Sequence, residues 1–98
     1  MIEHVVLYRF KEGTPAETID GIGKSLLALE GEIPEIGEIY YGENFSDRSR
    51  GHSHALVTRF ASRADLEAYA GHPSHRRVVE EEILPHVDLV TVADVECP

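Results

Sequence analysis

The sequence is short of the residues on which several kinds of chemistry depend. It holds one cysteine, Cys97, second from the end. A lone thiol closes no intramolecular disulfide and builds no cysteine metal site. It fits a reducing compartment, so the expectation is a soluble, cytoplasmic protein. Basic residues are scarce, 9 against 18 acidic ones, for a net charge of −9. Such a surface repels phosphate backbones and anionic lipid, which argues against nucleic-acid and membrane partners. No run of about 18 apolar residues is present to span a membrane. The opening "MIEHVVLYRF" has neither a basic stretch nor a small-residue cleavage site, so it does not read as a secretion signal. A glycine-rich phosphate loop, a G-x-S-x-G elbow and the H-x-x-x-H and H-x-x-E-H metal patterns are all missing.

What remains reads as one globular domain over residues 1–98, with 42% apolar and 28% charged residues. At this length folding buries about two-thirds of the unfolded chain's surface. That suffices for one core and leaves no room for a separate cofactor domain. "IEHVVLYRF" (2–10) is rich in β-branched and aromatic residues and predicts a strand. Thr14, Pro15 and Glu17 form a capping box with a proline at the first helical position, so a helix is expected over 15–30. Ile19, Ile22, Leu26 and Leu29 are its buried stripe, and Gly21 and Gly23 each weaken it by about 1 kcal/mol relative to Ala. Strands are predicted over 35–42, 52–60 and 87–96. Between the last two lies a helix begun by Ser62 and Asp65, interrupted at Gly71-His72-Pro73, and resumed to about Leu84.

The order β-α-β-β-α-β fits a ferredoxin-like α+β protomer, an antiparallel sheet with its helices on one face. Apolar residues occupy both alternation faces of the strands, Val6 and Tyr8 against Val5 and Leu7, for example. Two helices cover one face only. A second copy of the sheet is expected to cover the other, making a homodimer with face-to-face sheets.

Six histidines are present. His86, at a helix stop, and His52, at a loop edge, read as neutral. His4 and His54 each share an alternation face with large apolar residues, His4 with Val6 and Tyr8, His54 with Leu56. In the ferredoxin-like order their strands are neighbours, which would bring the two rings close. His72 precedes a proline and is expected at a helix N-cap. His75 is followed by Val78, Val79 and Ile83 at helical spacing, which turns it toward the sheet. The break lets Tyr69 converge on it. No carboxylate obviously joins this cluster from the sequence. It is either a hydrogen-bond network that fixes helix against sheet or a set of imidazoles poised for proton transfer.

Taken in order, "HVVLYRFKEGT", "YYGENFS" and "HSHALVTRFASRADLEAYAGHPSH" resemble the stress-responsive dimeric α/β-barrel (Dabb) family. The resemblance covers essentially the whole chain. It implies a dimer with back-to-back sheets. The plant member that forms olivetolic acid implies an intramolecular aldol cyclisation without a cofactor. By that resemblance His75 and Tyr69 are catalytic and His4, His54 and His72 belong to the substrate pocket; Tyr8 and Leu56, which share strand faces with His4 and His54, are expected to bind substrate with them. His75 would be the general base, with Tyr69 orienting it or polarising a carbonyl. "IDGIGKSLLALEG" lacks the aromatics that line the plant pocket, so the plant substrate does not transfer. Some plant relatives also hold Mg²⁺ on backbone carbonyls, here around Glu30 to Ile36. A non-catalytic, ligand-binding or stress-responsive homodimer is the competing reading. A monooxygenase of the related superfamily has no specific marker in the sequence.

Overall fold

The computed structural model describes all 98 residues. The order is β1 (Ile2–Phe10), α1 (Ala16–Ala28), a 3₁₀ turn (Leu29–Gly31), β2 (Glu38–Glu43), β3 (His54–Phe60), α2 (Arg63–Gly71), α3 (Pro73–Arg77), a π-helical turn (Val78–Ile83) and β4 (Val87–Glu96). The strands form one antiparallel sheet in the order β2-β3-β1-β4. This is the expected ferredoxin-like arrangement, and the helices lie on one face. No helix is long and apolar enough to cross a membrane.

Strand alternation decides what faces the helices. In β1 the even residues Ile2, Val6 and Tyr8 are buried, and in β3 so are Leu56, Thr58 and Phe60. They meet Ile22, Leu26 and Leu29 of the first helical segment, Tyr69 of α2, and Val78 and Ile83 of the π turn in a single core. The odd residues Val5, Leu7, Ala55 and Val57 lie on the opposite face, half-buried. Leu89 and Val95 extend that face along β4.

Several boundaries differ from expectation for local reasons. The capping box at Thr14 does not form. The Thr14 hydroxyl donates to the Lys11 carbonyl, and α1 starts one residue past Pro15, whose carbonyl accepts the Thr18 and Ile19 amides. Strand β2 starts at Glu38 rather than residue 35, because Ile33 and Ile36 are buried in the preceding turn. Ser62 does cap α2, accepting the Asp65 amide at 3.2 Å. The stretch after Arg77 widens into a π turn, with the Leu84 amide on the Val79 carbonyl. His52 is no bland loop residue. It is buried, donates Nδ1–H to the Ser49 carbonyl and holds Thr91 through Nε2 at 2.9 Å, tying the β2–β3 loop to β4.

The two glycines of α1 behave differently from one another. A Cβ at Gly21 would meet open space, whereas one at Gly23 would sit 2.6 Å from the Tyr41 ring. That ring is pinned, with its hydroxyl 3.3 Å from the Ile19 carbonyl and its face stacked on His54. Gly23 is therefore a packing requirement, and the expected helix penalty is the smaller term. Gly21→Ala should stabilise the protein by about 1 kcal/mol. Gly23→Ala should destabilise it by roughly 1–3 kcal/mol through overpacking. Chemical denaturation of the two variants checks the opposite signs.

Candidate functional site

The site begins with the helix break. An α2 that continued would give the Tyr69 carbonyl the amide of residue 73 and the Ala70 carbonyl the amide of residue 74. Pro73 has no N–H to give, and the His72 amide serves Tyr69 instead at 3.1 Å. The Ser74 amide is taken by Nδ1 of His72, which caps α3 at 3.1 Å. The Ala70 carbonyl is thereby orphaned, and Nδ1 of His75 reaches back to it at 3.1 Å. A carbonyl only accepts, so His75 carries its proton on Nδ1. Its Nε2, without a protein partner, holds a free lone pair.

A cavity of about 230 Å³ opens beside this ring. Val6, Tyr8, Leu56, Val79 and Val92 contribute to a mostly apolar lining, and His4 and His75 are its imidazoles. Leu84, brought under Val79 by the π turn, stands at the wall, 55% exposed. Burial lowers the His75 pKa below the usual imidazole value, the Ala70 carbonyl opposes that shift, and the His4 and His72 rings add to it. The ring is thus neutral at neutral pH, with a base facing apolar space.

Tyr69 does converge on His75, with ring centroids 4.3 Å apart, and His4 lies 6.0 Å from Tyr69. The tyrosine does not line the cavity. It is a buried platform between His75 and Phe60. Its phenol is pushed up to about 12 by burial, partly opposed by the neighbouring Thr58 hydroxyl. Neither hydroxyl reaches hydrogen-bond geometry, so their contact is one of proximity. Tyr69 can support the His75 ring; its hydroxyl does not polarise a group in the cavity.

Two expectations about the other side chains are corrected. His54 shares a face with His4 but not its neighbourhood. In the antiparallel register His54 pairs with Tyr8 and His4 with Thr58. Four residues of strand separate them, about 13 Å at ~3.3 Å per residue. His54 packs on Tyr41 and Phe10 and bonds Ser53, away from the cavity. Conversely, a carboxylate does join the cluster. Asp94 stands directly across from His4 on β4 and accepts from its Nδ1 at 2.5 Å. That leaves His4 Nε2 free of the pair. The signal for Asp94 lay in the alternation Val90, Val92, Asp94, an acidic residue on an otherwise apolar inward face. No three His, Cys, Asp or Glu side chains come together as a metal site. Around Glu30 to Ile36 the Leu29 and Ile33 carbonyls are already engaged by backbone amides.

Residues 2–97 match the family profile of the stress responsive A/B barrel domain. Among curated proteins, a stress-response A/B barrel domain-containing protein of Arabidopsis thaliana is 32% identical over 95 residues. The match covers 96% of this chain but 36% of the plant protein, so the chain spans about a third of that relative's length. A crystal structure of another Arabidopsis thaliana protein superposes with a TM-score of 0.91 at 26% identity, over 100% of this chain and 96% of that one. The hydroxynitrile lyase of Passiflora edulis superposes with a TM-score of 0.86 at 26% identity, covering 96% and 90%. A dimeric ferredoxin-like protein from Jannaschia sp. gives 0.76 at 26%, covering 98% of each chain. With the profile matched almost end to end on the expected fold, the chain belongs to the stress-responsive A/B barrel (Dabb) domain family.

Proposed function

We propose that the protein is a cytoplasmic lyase or cyclase that acts without a cofactor on a small substrate that carries a carbonyl or releases one, with His75 as its general base. The observation that carries this is the fixed tautomer of His75, Nδ1–H on Ala70 and a free Nε2 beside the cavity. Nε2 takes a proton from the substrate, and the electron pair left behind either forms a carbonyl as a leaving group departs or is held as an enolate. Two reactions need that step. In opening a hydroxynitrile, the activity named for the Passiflora protein, the hydroxyl loses its proton, the carbonyl forms and cyanide leaves. In aldol closure of a polyketide, which the sequence resemblance implies, the carbon beside one carbonyl loses its proton to Nε2 and attacks another, whose C=O π pair moves onto oxygen and takes the proton back from His75. His4, with its Nδ1–H on Asp94, presents an Nε2 lone pair that accepts a hydrogen bond from a substrate hydroxyl. Backbone-held Mg²⁺ near Glu30 to Ile36 would be remote from this chemistry in sequence, and no step depends on it.

The dimer belongs to the same proposal. Val5, Leu7 and Val57 form an apolar outer face, which a second copy would cover. A second reading, a ligand-binding dimer without turnover, is favoured by one observation: Tyr69 is sealed beneath His75 instead of facing the cavity.

Three measurements decide among these. Light scattering should give twice the 10.9 kDa of the chain, and Leu7→Lys should give the monomer. With mandelonitrile and a short polyketide thioester as probes, His75→Ala should lose turnover of at least one by about 100-fold or more. Tyr69→Phe keeps the ring and should stay within a few-fold. A wild type inert toward both probes, with His75→Ala only lowering the melting temperature, establishes the second reading instead. The pH profile carries a sign. Burial lowers the His75 pKa, so the acid limb of kcat/KM should fall below the ordinary ~6.5. The unfolded chain takes up that proton near 6.5 and the folded ring only below it, so this contribution to stability is lost as pH falls through that window.

A further inference from the structure

The cavity contains one polar group that the chemistry above leaves idle. Tyr8 belongs to its lining and is 3% exposed. Nothing in the protein accepts or donates a hydrogen bond to its hydroxyl; only burial, then the Tyr69 and Tyr41 phenols, act on its titration, all raising it. The phenol therefore stays protonated, a neutral donor without a partner. The hydroxyl is not among the sealed, unpartnered polar atoms, which are those of Thr58 and Tyr69, so it opens on the cavity, where water serves it until a ligand arrives. An unpaired donor at a cavity wall is what a ligand oxygen would satisfy.

The other end of the cavity is set by His4 and His75. His4 and Tyr8 lie on the same face of β1, four residues apart, so the two polar ends are separated by Val6 and the facing Leu56. No lysine or arginine lines the space, and the chain as a whole carries −9. An anionic ligand would enter without a counter-charge. At about 230 Å³ the cavity falls below the ~300–1,000 Å³ of clefts for drug-sized ligands, which limits the occupant to roughly one ring with short substituents.

We propose that the cavity takes an uncharged, ring-sized carbonyl compound with a second oxygen at its far end, and that Tyr8 selects it by donating a hydrogen bond to that oxygen. The assignment of the carbonyl to the His75 end rests on the catalytic reading; the Tyr8 contact does not.

Equilibrium binding by calorimetry separates the two. The probes are para-hydroxyacetophenone, its para-methyl analogue without the far oxygen, and para-hydroxybenzoate, in which a carboxylate replaces the ketone. The wild type should bind the hydroxy ketone roughly three- to tenfold tighter than the methyl ketone, the worth of one neutral hydrogen bond. Tyr8→Phe should bring that ratio to about one, and the benzoate should bind neither form. Tyr8→Phe removes a hydroxyl without a partner, so its melting temperature should not fall, which makes it a clean comparison. An unchanged ratio in Tyr8→Phe, comparable binding of the benzoate, or no binding of either ketone by the wild type would overturn the proposal. Loss of the catalytic reading, seen as unaltered turnover in His75→Ala, would leave the Tyr8 ratio standing.

Discussion

The hydrogen bond from His75 Nδ1 to the Ala70 carbonyl is the constraint on which the site depends. It exists because the helix is broken in one particular way. A proline alone would have left carbonyls of α2 unsatisfied, and water or a tighter turn could have served them. Here His72 diverts the Ser74 amide, so the Ala70 carbonyl is free for a ring five residues later. One bond then sets three properties. It anchors the imidazole, it fixes the tautomer, and it leaves Nε2 for the cavity. In "HPSH" the first histidine and the proline build the break, and the break orients the second histidine.

The widened turn that follows completes the geometry. Its i-to-i+5 bond brings Leu84 beneath Val79, and both reach the cavity wall. An uninterrupted α-helix over 73–84 would have rotated Leu84 away from Val79. Across the sheet, Asp94 holds His4 from β4 while α2 places Tyr69 beneath His75. The imidazoles are thus held from opposite layers, one by strand register and one by a helix end. A displacement of sheet against helices would change their separation, which is why the tight α1–β2 contact at Gly23 and Tyr41 bears indirectly on the site.

The parts of this arrangement that were legible in the sequence are those set by local rules. The start of α3 at Pro73, the Ser62 cap and the spacing from His75 to Val78 and Ile83 each depend on a few adjacent residues, and each led to the right place, whereas the Thr14-Pro15 start was one residue off. The strand order followed from the alternation of elements. What escaped depends on register or on close packing between distant segments. His54 reads as a partner for His4 until the antiparallel pairing sets them four residues apart. Asp94 is invisible to the cluster until β4 is laid against β1 with His4 opposite it. Gly23 looks like a weak helix residue until the Tyr41 ring is placed against it. The π turn has no composition signal, since Val, Glu and Ile serve an α-helix as well.

Whether the histidine and tyrosine cluster is a structural network or a working site turns on how its polar atoms are satisfied. A network kept for stability closes its hydrogen bonds, since an unpaired buried donor costs about 1–3 kcal/mol. The bonds from His72 and His75 to the helix ends meet that standard. The atoms facing inward do not. Thr58 and Tyr69 bury hydroxyls without partners, the Tyr8 hydroxyl has none in the protein, and His75 Nε2 has none either. The scaffold is satisfied on its backbone side, while at the cavity wall Tyr8 and His75 keep polar atoms without a protein partner. Those are the atoms a ligand can engage. The unpaired Thr58 and Tyr69 hydroxyls lie behind the wall, beyond a ligand's reach, where Tyr69 supports the His75 ring.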